Sequence, residues 1–299
     1  MTQNLLIGVG ILVLVAFCAL AFVTRKQAHQ LITHPLSERR PMIQSPADYG
    51  LTYEDVTVTT VDGLKLVGWY LPSRNHAAVI AQHGYKGDRT DLLATAKFLN
   101  RHGYGVLLSS LRAHDQSEGE LITLGRDEMQ DFAAWHQYLL GRSDIDPERI
   151  GMLGESMGGA LSAKYAAQNP QIKALVLHSA FSRFTDTVEK ALHRFTNLPP
   201  FPFVPMILFW ARSETGIDAS TIDTTLWVRQ ISPRPVFILQ GGADDHTPIN
   251  SGEKLYQAAG EPKDYWYEPE ARHHGFDLEP YLPEFEKRVV AYFDRYLLG

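Results

Sequence analysis

The chain is poor in cysteine and shows no excess of basic charge. Its single cysteine, Cys18, lies inside an apolar segment, which excludes intrachain disulfides and leaves no cysteine candidate for catalysis or metal binding. Lys and Arg total 28 against 34 Asp and Glu, a formal net charge of −6, and no basic stripe is present. We therefore expect no nucleic-acid partner.

Metal-ligand spacing is also missing from the sequence. The histidines outside the regions discussed below are scattered, and we expect them to be surface or packing residues rather than ligands: His102, His114, His136, His178 and His193. The sequence therefore predicts no metal and no cofactor.

Charge is absent from Leu5 to Val23, an unbroken apolar run. At ~1.5 Å per helical residue the run matches the ~30 Å hydrocarbon core of a bilayer. A cleaved signal peptide is the rival interpretation, with Ala19-Leu20-Ala21 as its cleavage site. However, the run is long for a signal core and Met1 to Asn4 carry no basic side chain, which favours an uncleaved single-pass anchor over residues 1–26.

Basic residues follow the apolar run and none precedes it; they are Arg25, Lys26, Arg39 and Arg40. The positive-inside rule then places the globular part on the cytoplasmic side of the membrane. A proline-punctuated connecting segment is expected over residues 27–50, lying on the surface of a single domain that spans residues 51–299.

Alternating and apolar segments in that domain predict an α/β fold. Residues 56–60 and 64–71 alternate on either side of Asp62-Gly63, which predicts an antiparallel hairpin. Short apolar strands and amphipathic helices then alternate as far as a closing helix over residues 283–298. This order predicts a mostly parallel sheet flanked on both faces by helices. The expected later strands are 77–81, 104–108, 149–153, 174–177, 236–239 and 265–267.

The stretch Gly154-Glu155-Ser156-Met157-Gly158 fits the pattern Gly-x-Ser-x-Gly. It stands between the strand at 149–153 and a helix predicted from residue 159. A serine on such a strand-to-helix turn projects its hydroxyl out of the sheet, and the glycines avoid collisions with neighbouring backbone. Ser156 is therefore the predicted nucleophile.

A serine hydroxyl needs a base, and the base needs an orienting group. On a parallel sheet both should lie on loops at the carboxyl ends of strands. Asp244 and Asp245 follow the strand at 236–239, and His273 and His274 follow the strand at 265–267. The chain order is thus serine, aspartate, histidine.

These motifs resemble the α/β-hydrolase superfamily, and within it the membrane-anchored Bem46-like and serine-aminopeptidase-like groups. The resemblance covers residues 50–298 and rests on residues 60–72, His83-Gly84-Tyr85, the Gly-x-Ser-x-Gly turn, residues 241–248 and the final histidines. It implies the α/β-hydrolase fold with a small helical cap and serine-hydrolase chemistry, without specifying a substrate.

The resemblance also implies individual site residues. The pattern Gly-x-x-Asp-x-x-x-Pro, aligned on residues 241 and 248, gives Asp244 as the orienting acid, with Asp245 as the fallback. Pro-x-x-x-His from residue 269 gives His273 as the base, whereas a His-Gly-Phe ending would give His274. The backbone N–H groups of Tyr85 and Met157 would form the oxyanion hole.

The segment at about 181–225 differs in composition, being apolar and rich in proline and aromatic residues. It is predicted to form the cap over the nucleophile, and an apolar cap suits an acyl chain. The sequence thus favours a membrane-bound serine hydrolase of esters or thioesters with lipid-like acyl substrates. The alternatives are an aminopeptidase or amidase of the same fold, and a hydrolase-fold protein that binds without cutting.

Overall fold

A computed structural model describes residues 2–299. Eight strands form one sheet: β1 (Glu54–Thr59), β2 (Lys65–Leu71), β3 (Ala78–Gln82), β4 (Gly105–Ser109), β5 (Ile150–Glu155), β6 (Ala174–His178), β7 (Val236–Gly241) and β8 (Lys263–Glu268). Their order across the sheet is β1-β2-β4-β3-β5-β6-β7-β8. The strand β2 runs antiparallel to β1 and β4, and all pairs from β4 to β8 are parallel. The predicted hairpin and mostly parallel sheet are confirmed.

Nine α-helices accompany the sheet in the described part of the chain: α1 (Thr2–Ile32), α2 (Leu93–Arg101), α3 (Glu128–Leu140), α4 (Met157–Gln168), α5 (Phe184–Thr196), α6 (Pro200–Thr215), α7 (Thr224–Val228), α8 (Ser251–Ala258) and α9 (Leu282–Phe293). The chain ends in a wider helical turn, Asp294–Leu298, so the closing helix reaches the predicted residue 298 in two parts.

The core lies on both faces of the sheet. Along β3, Ile80 belongs to a cluster with Trp135 of α3, whereas its neighbours Val79 and Ala81 belong to a second cluster with Phe293 of α9. This division follows from the two-residue period of a strand, which sends successive side chains to opposite faces. Because both faces are covered, β3 is buried throughout, and its sequence is apolar up to the terminal Gln82.

The helix α1 does not end where the anchor was predicted to end. It continues six residues beyond residue 26 to Ile32, because Ala28 and Ile32 are buried against Ile207 and Ala211 of α6. Gln3–Ile32 is the single helix within residues 2–299 that is long and apolar enough to cross a membrane. Membrane anchors and signal sequences share these properties. The proposed boundary at residues 26 and 27 is thus crossed by one continuous helix.

The segment after α1 is tied to the domain by backbone and side-chain bonds. Thr33 forms an antiparallel bridge with Leu121, and the Arg39 guanidinium donates to the carbonyls of His34 and Ser117. In the cap region, α5, α6 and α7 occupy the insertion between β6 and β7. The cap helix α6 packs against the end of α1.

Candidate active site

Ser156 occupies the sharp turn between β5 and α4. Its backbone φ of 53° and ψ of −119° are strained for a residue with a side chain. A Cβ placed on Gly154 would lie 2.4 Å from the Gly158 carbonyl oxygen, and one on Gly158 would lie 2.3 Å from the His83 carbonyl oxygen. Both neighbours are backbone atoms, so glycine is required on each side of the turn.

Asp244 and His273 form a buried pair. The Nδ1 atom of His273 lies 2.8 Å from Oδ2 of Asp244. Burial by itself would raise the pKa of Asp244, but the hydrogen bonds from His273 and from Thr247 hold it well below its usual range. The carboxylate is therefore ionised at neutral pH, and it fixes the orientation of the imidazole.

Besides His273, four donor groups reach the Asp244 carboxylate. The backbone N–H groups of His246 and Thr247 donate to Oδ1 at 2.8 and 2.9 Å. The Thr247 hydroxyl and the Gln240 amide donate to Oδ2 at 2.6 and 3.1 Å. Asp245, the fallback acid, is exposed and instead lies 2.9 Å from Nδ1 of His246.

His274 has a partner of its own. Its Nδ1 atom lies 2.8 Å from Oε1 of Glu155, the residue that directly precedes Ser156. The hydrogen bond and charge of Glu155 raise the pKa of His274 to about 9. Burial would raise the pKa of Glu155, but His274 and the nearby His178 lower it overall. At neutral pH the two form an ion pair beside the nucleophile, and half of the His274 side chain stays exposed.

Asp244 lies outside the cavity wall and reaches it through His273. The other predicted site residues line one cavity of about 610 Å³: Tyr85, Ser156, Met157, His273 and His274. The size is typical of small-molecule sites. Most of the remaining wall is apolar, with contributions from Leu31, Leu124, Phe181, Phe184, Val188 and Phe195. The cavity is therefore suited to a hydrophobic group that extends from the serine.

The loop at residues 83–87 lies directly over the nucleophile. A Cβ on Gly84 would be 3.3 Å from the Ser156 Cβ. Nδ1 of His83 donates to the Gly84 carbonyl and its Nε2 accepts from the Leu111 backbone N–H, so the ring joins this loop to the loop after β4. Burial lowers the pKa of His83, so the ring is neutral. Tyr85 belongs to this loop and lines the cavity.

Asp244, His246 and His273 together offer three ligand atoms within 4.8 Å of one another. Both Asp244 oxygens already accept hydrogen bonds, and Nδ1 of His273 is engaged with one of them. A metal would have to break the Asp244–His273 bond. The donor set fits a hydrogen-bonded pair better than a metal site.

Sequence reasoning missed the pair between Glu155 and His274. A glutamate at the end of a buried strand was the available signal, because a buried carboxylate needs a partner. His178, predicted to be a surface or packing residue, is buried and packs against Phe276 and Phe285. His102 and His193 are exposed, and His114 and His136 are buried.

Comparison with known proteins identifies the family. A family profile described as alpha/beta hydrolase fold matches residues 77–202. A protein of Mycobacterium tuberculosis is 32% identical over 273 residues, which cover 90% of this chain and 88% of that protein. The chain belongs to the α/β-hydrolase superfamily.

Two further matches carry functional names. Thiohydrolase aneE of Aspergillus aculeatus is 26% identical over 285 residues, covering 76% of this chain and 88% of the relative. The structure of Pyrococcus furiosus esterase Pf2001 superposes with a TM-score of 0.74 at 24% identity, covering 89% of this chain and 98% of that protein. The chain thus shares its fold with proteins that are named as a thiohydrolase and an esterase.

Proposed function

We propose that the protein is a serine hydrolase that cleaves carboxylic ester or thioester bonds through an acyl-enzyme. Ser156 attacks the acyl carbon, and His273 takes the serine proton and returns it to the leaving group. Asp244 holds the imidazole tautomer, and the backbone N–H groups of Met157 and Tyr85 stabilise the oxyanion. Water activated by His273 then releases the acid and restores the serine.

One observation carries this proposal: a buried Asp244–His273 hydrogen bond and a strained serine turn meet at the same cavity. A binding protein without activity would have no need of an ionised, fully hydrogen-bonded acid behind an imidazole. The names of the Aspergillus and Pyrococcus neighbours support esters and thioesters as the bond class.

The apolar cavity wall favours a hydrophobic acyl group, and the anchor supports a lipid-like substrate. Leu31 lines the cavity and belongs to the same helix as the apolar run that ends at Val23. At ~1.5 Å per residue, Leu31 lies about 12 Å beyond that run along the helix axis. A single-pass anchor would thus hold the cavity near the membrane surface, on the cytoplasmic side by the positive-inside rule.

An aminopeptidase or amidase is the second candidate from the sequence, and it would need free carboxylates near the serine to hold a substrate amine. Four acidic residues of the cap are the sequence candidates for that task, and none of them lines the cavity: Glu189, Glu214, Asp218 and Asp223. Glu214, Asp218 and Asp223 are paired with basic side chains. Burial and the charge of Glu155 raise the pKa of Asp277, in the cavity wall, to about 7. The other carboxylates of the cavity wall, Asp91 and Asp245, are paired with Arg40 and Arg194. The cavity therefore favours ester and thioester substrates.

The test is labelling of the detergent-solubilised full chain with a fluorophosphonate probe, which reacts with activated serines. We expect labelling of the wild type and of Ser143→Ala, which alters an exposed serine beyond α3, and none of Ser156→Ala. A p-nitrophenyl ester series of increasing chain length, run beside aminoacyl anilides, then compares the two bond classes. A folded wild type that neither labels nor cleaves any ester would leave a binding role instead.

A further inference from the structure

The helix α1 ends against the hydrolase domain instead of in solvent. The last four carbonyls of an α-helix lack partners within the helix and need partners from elsewhere. The first of the four, on His29, accepts from the Thr33 backbone N–H at 3.0 Å, and the last, on Ile32, accepts from the Ile122 backbone N–H at 2.8 Å. The end of the helix is therefore bonded to the loop that precedes α3.

The two middle carbonyls are bonded to the loop that covers the nucleophile. The Tyr85 hydroxyl donates to the Leu31 carbonyl at 2.8 Å, and the Lys86 ammonium donates to the Gln30 carbonyl at 2.9 Å. A cation at a helix C-terminus also interacts favourably with the negative end of the helix dipole. The side chains of Tyr85 and Lys86 thus both donate to the end of α1.

The loop needs such support because its backbone is strained. Lys86 has a φ of 53°, a conformation that side-chain-bearing residues adopt only when the surroundings hold them there. The same loop carries the Tyr85 N–H, whose position relative to the serine decides how well an oxyanion is bound. A shift of the loop would move that N–H group.

The helix end is rigid enough to act as a support. His29 lies 3.0 Å from a carboxylate oxygen of Glu214 on α6, and Thr24 and Ala28 are buried. After the helix, Nδ1 of His34 lies 2.8 Å from the Ala113 carbonyl. Residues 24–34 are consequently held from two sides, by the cap and by the loop at residues 113–122.

We propose that the C-terminal end of the membrane helix is a positioning element of the active site: through Leu31 and Gln30 it holds the loop of Tyr85 and Lys86 in the conformation that binds the oxyanion. This inference rests on the proposed function, because it assigns a support to the oxyanion loop of that reaction. Tyr85 then has two roles. Its backbone N–H donates to the reacting oxygen, and its hydroxyl positions the loop by bonding to α1.

The test separates these two roles. Tyr85→Phe keeps the N–H and the ring and removes only the hydroxyl bond to α1, and Lys86→Met removes the second bond. The oxyanion is absent from the bound substrate and develops on the way to the transition state. Weaker hydrogen bonding to the oxyanion therefore lowers kcat and leaves KM nearly unchanged. Outright loss of an oxyanion donor costs on the order of 10² to 10³ in rate, so a displaced donor should lower kcat about 5- to 20-fold.

Hydrolysis of p-nitrophenyl butyrate by the full chain in detergent is measured for both single variants and the double variant, at a temperature well below each melting midpoint. Tyr296→Phe, which removes a hydroxyl in the last turn of the chain, is the control and should match the wild type. A lowered kcat with unchanged KM, largest in the double variant, is the expected result. If Tyr85→Phe does not fold, Lys86→Met alone decides the matter, because the Lys86 side chain is only partly buried.

Two negative results are distinguishable. An active wild type whose three variants keep kcat within twofold would overturn the inference and leave the proposed function standing. An inactive wild type that also fails to label with fluorophosphonate would overturn both.

Discussion

Replacing Asp244 by asparagine should disable the base without disturbing the fold. The new amide must put its NH₂ group where one of the two carboxylate oxygens was. The Oδ1 position faces two backbone N–H groups, from His246 and Thr247, which can only donate. The Oδ2 position faces the Thr247 hydroxyl, the Gln240 amide and His273, each of which can become an acceptor. The NH₂ group will therefore sit at the Oδ2 position.

From there it donates to Nδ1 of His273. The imidazole must then carry its proton on Nε2, and that nitrogen can no longer accept the proton of Ser156. A wrong tautomer in a serine triad lowers kcat about 10⁴-fold. This corresponds to about 5.4 kcal/mol of transition-state stabilisation, at 1.36 kcal/mol for each factor of ten.

The assay is kcat for a short p-nitrophenyl ester, with the rate of fluorophosphonate labelling as a second readout. Asp245→Asn is the matched control, because the neighbouring carboxylate is exposed and bonds to His246 instead of His273. The control should keep kcat within about threefold of wild type, in line with the small worth of exposed ion pairs. A tenfold loss or less for Asp244→Asn, with the melting midpoint unchanged, would refute the assignment of this acid.

Three further outcomes are expected. His273→Ala should lose at least about 10³-fold in kcat whereas His274→Ala keeps measurable turnover, and equal losses would contradict the choice of base. In the wild type the pKa of His274 is raised to about 9, so the stability that its charge contributes is complete below pH 6.5 and is lost as pH rises through 9. Glu155→Gln should remove this pH dependence from the free energy of unfolding. An unchanged pH dependence, measured by denaturant titration, would argue against the pair of Glu155 and His274. Gly158→Ala should destabilise the domain by more than about 3 kcal/mol or prevent folding, because the new alanine Cβ would lie 2.3 Å from a backbone carbonyl oxygen. A soluble variant with the melting midpoint of the wild type would contradict the turn geometry.

Much of the fold was predictable because local patterns and global topology agree. The Asp62-Gly63 turn predicts the hairpin of β1 and β2, and apolar runs such as that of β3 predict strands covered on both faces. The end of α1 was not predictable. Its exposed apolar run follows from composition, but its continuation to Ile32 depends on burial against α6, which is remote in the sequence.

The site was predictable in part for the same reason. The glycines around Ser156 reflect a local turn, so the motif locates the turn without any tertiary information. The choice between neighbouring residues is different. Asp244 and Asp245, or His273 and His274, are chemically alike and adjacent, so family patterns favoured Asp244 and His273 but kept Asp245 and His274 as alternatives.

By itself, the sequence determined the α/β architecture, the apolar N-terminal helix and the serine turn, because these follow from residue periodicity and from backbone sterics within a few positions. Only the tertiary structure decided that Asp244 faces His273, that His274 pairs with Glu155, and that the end of α1 holds the loop over the serine. Each of these depends on the direction of a side chain across loops that are far apart in the chain. That direction is set by packing and by the need to satisfy buried polar groups, which no local pattern encodes.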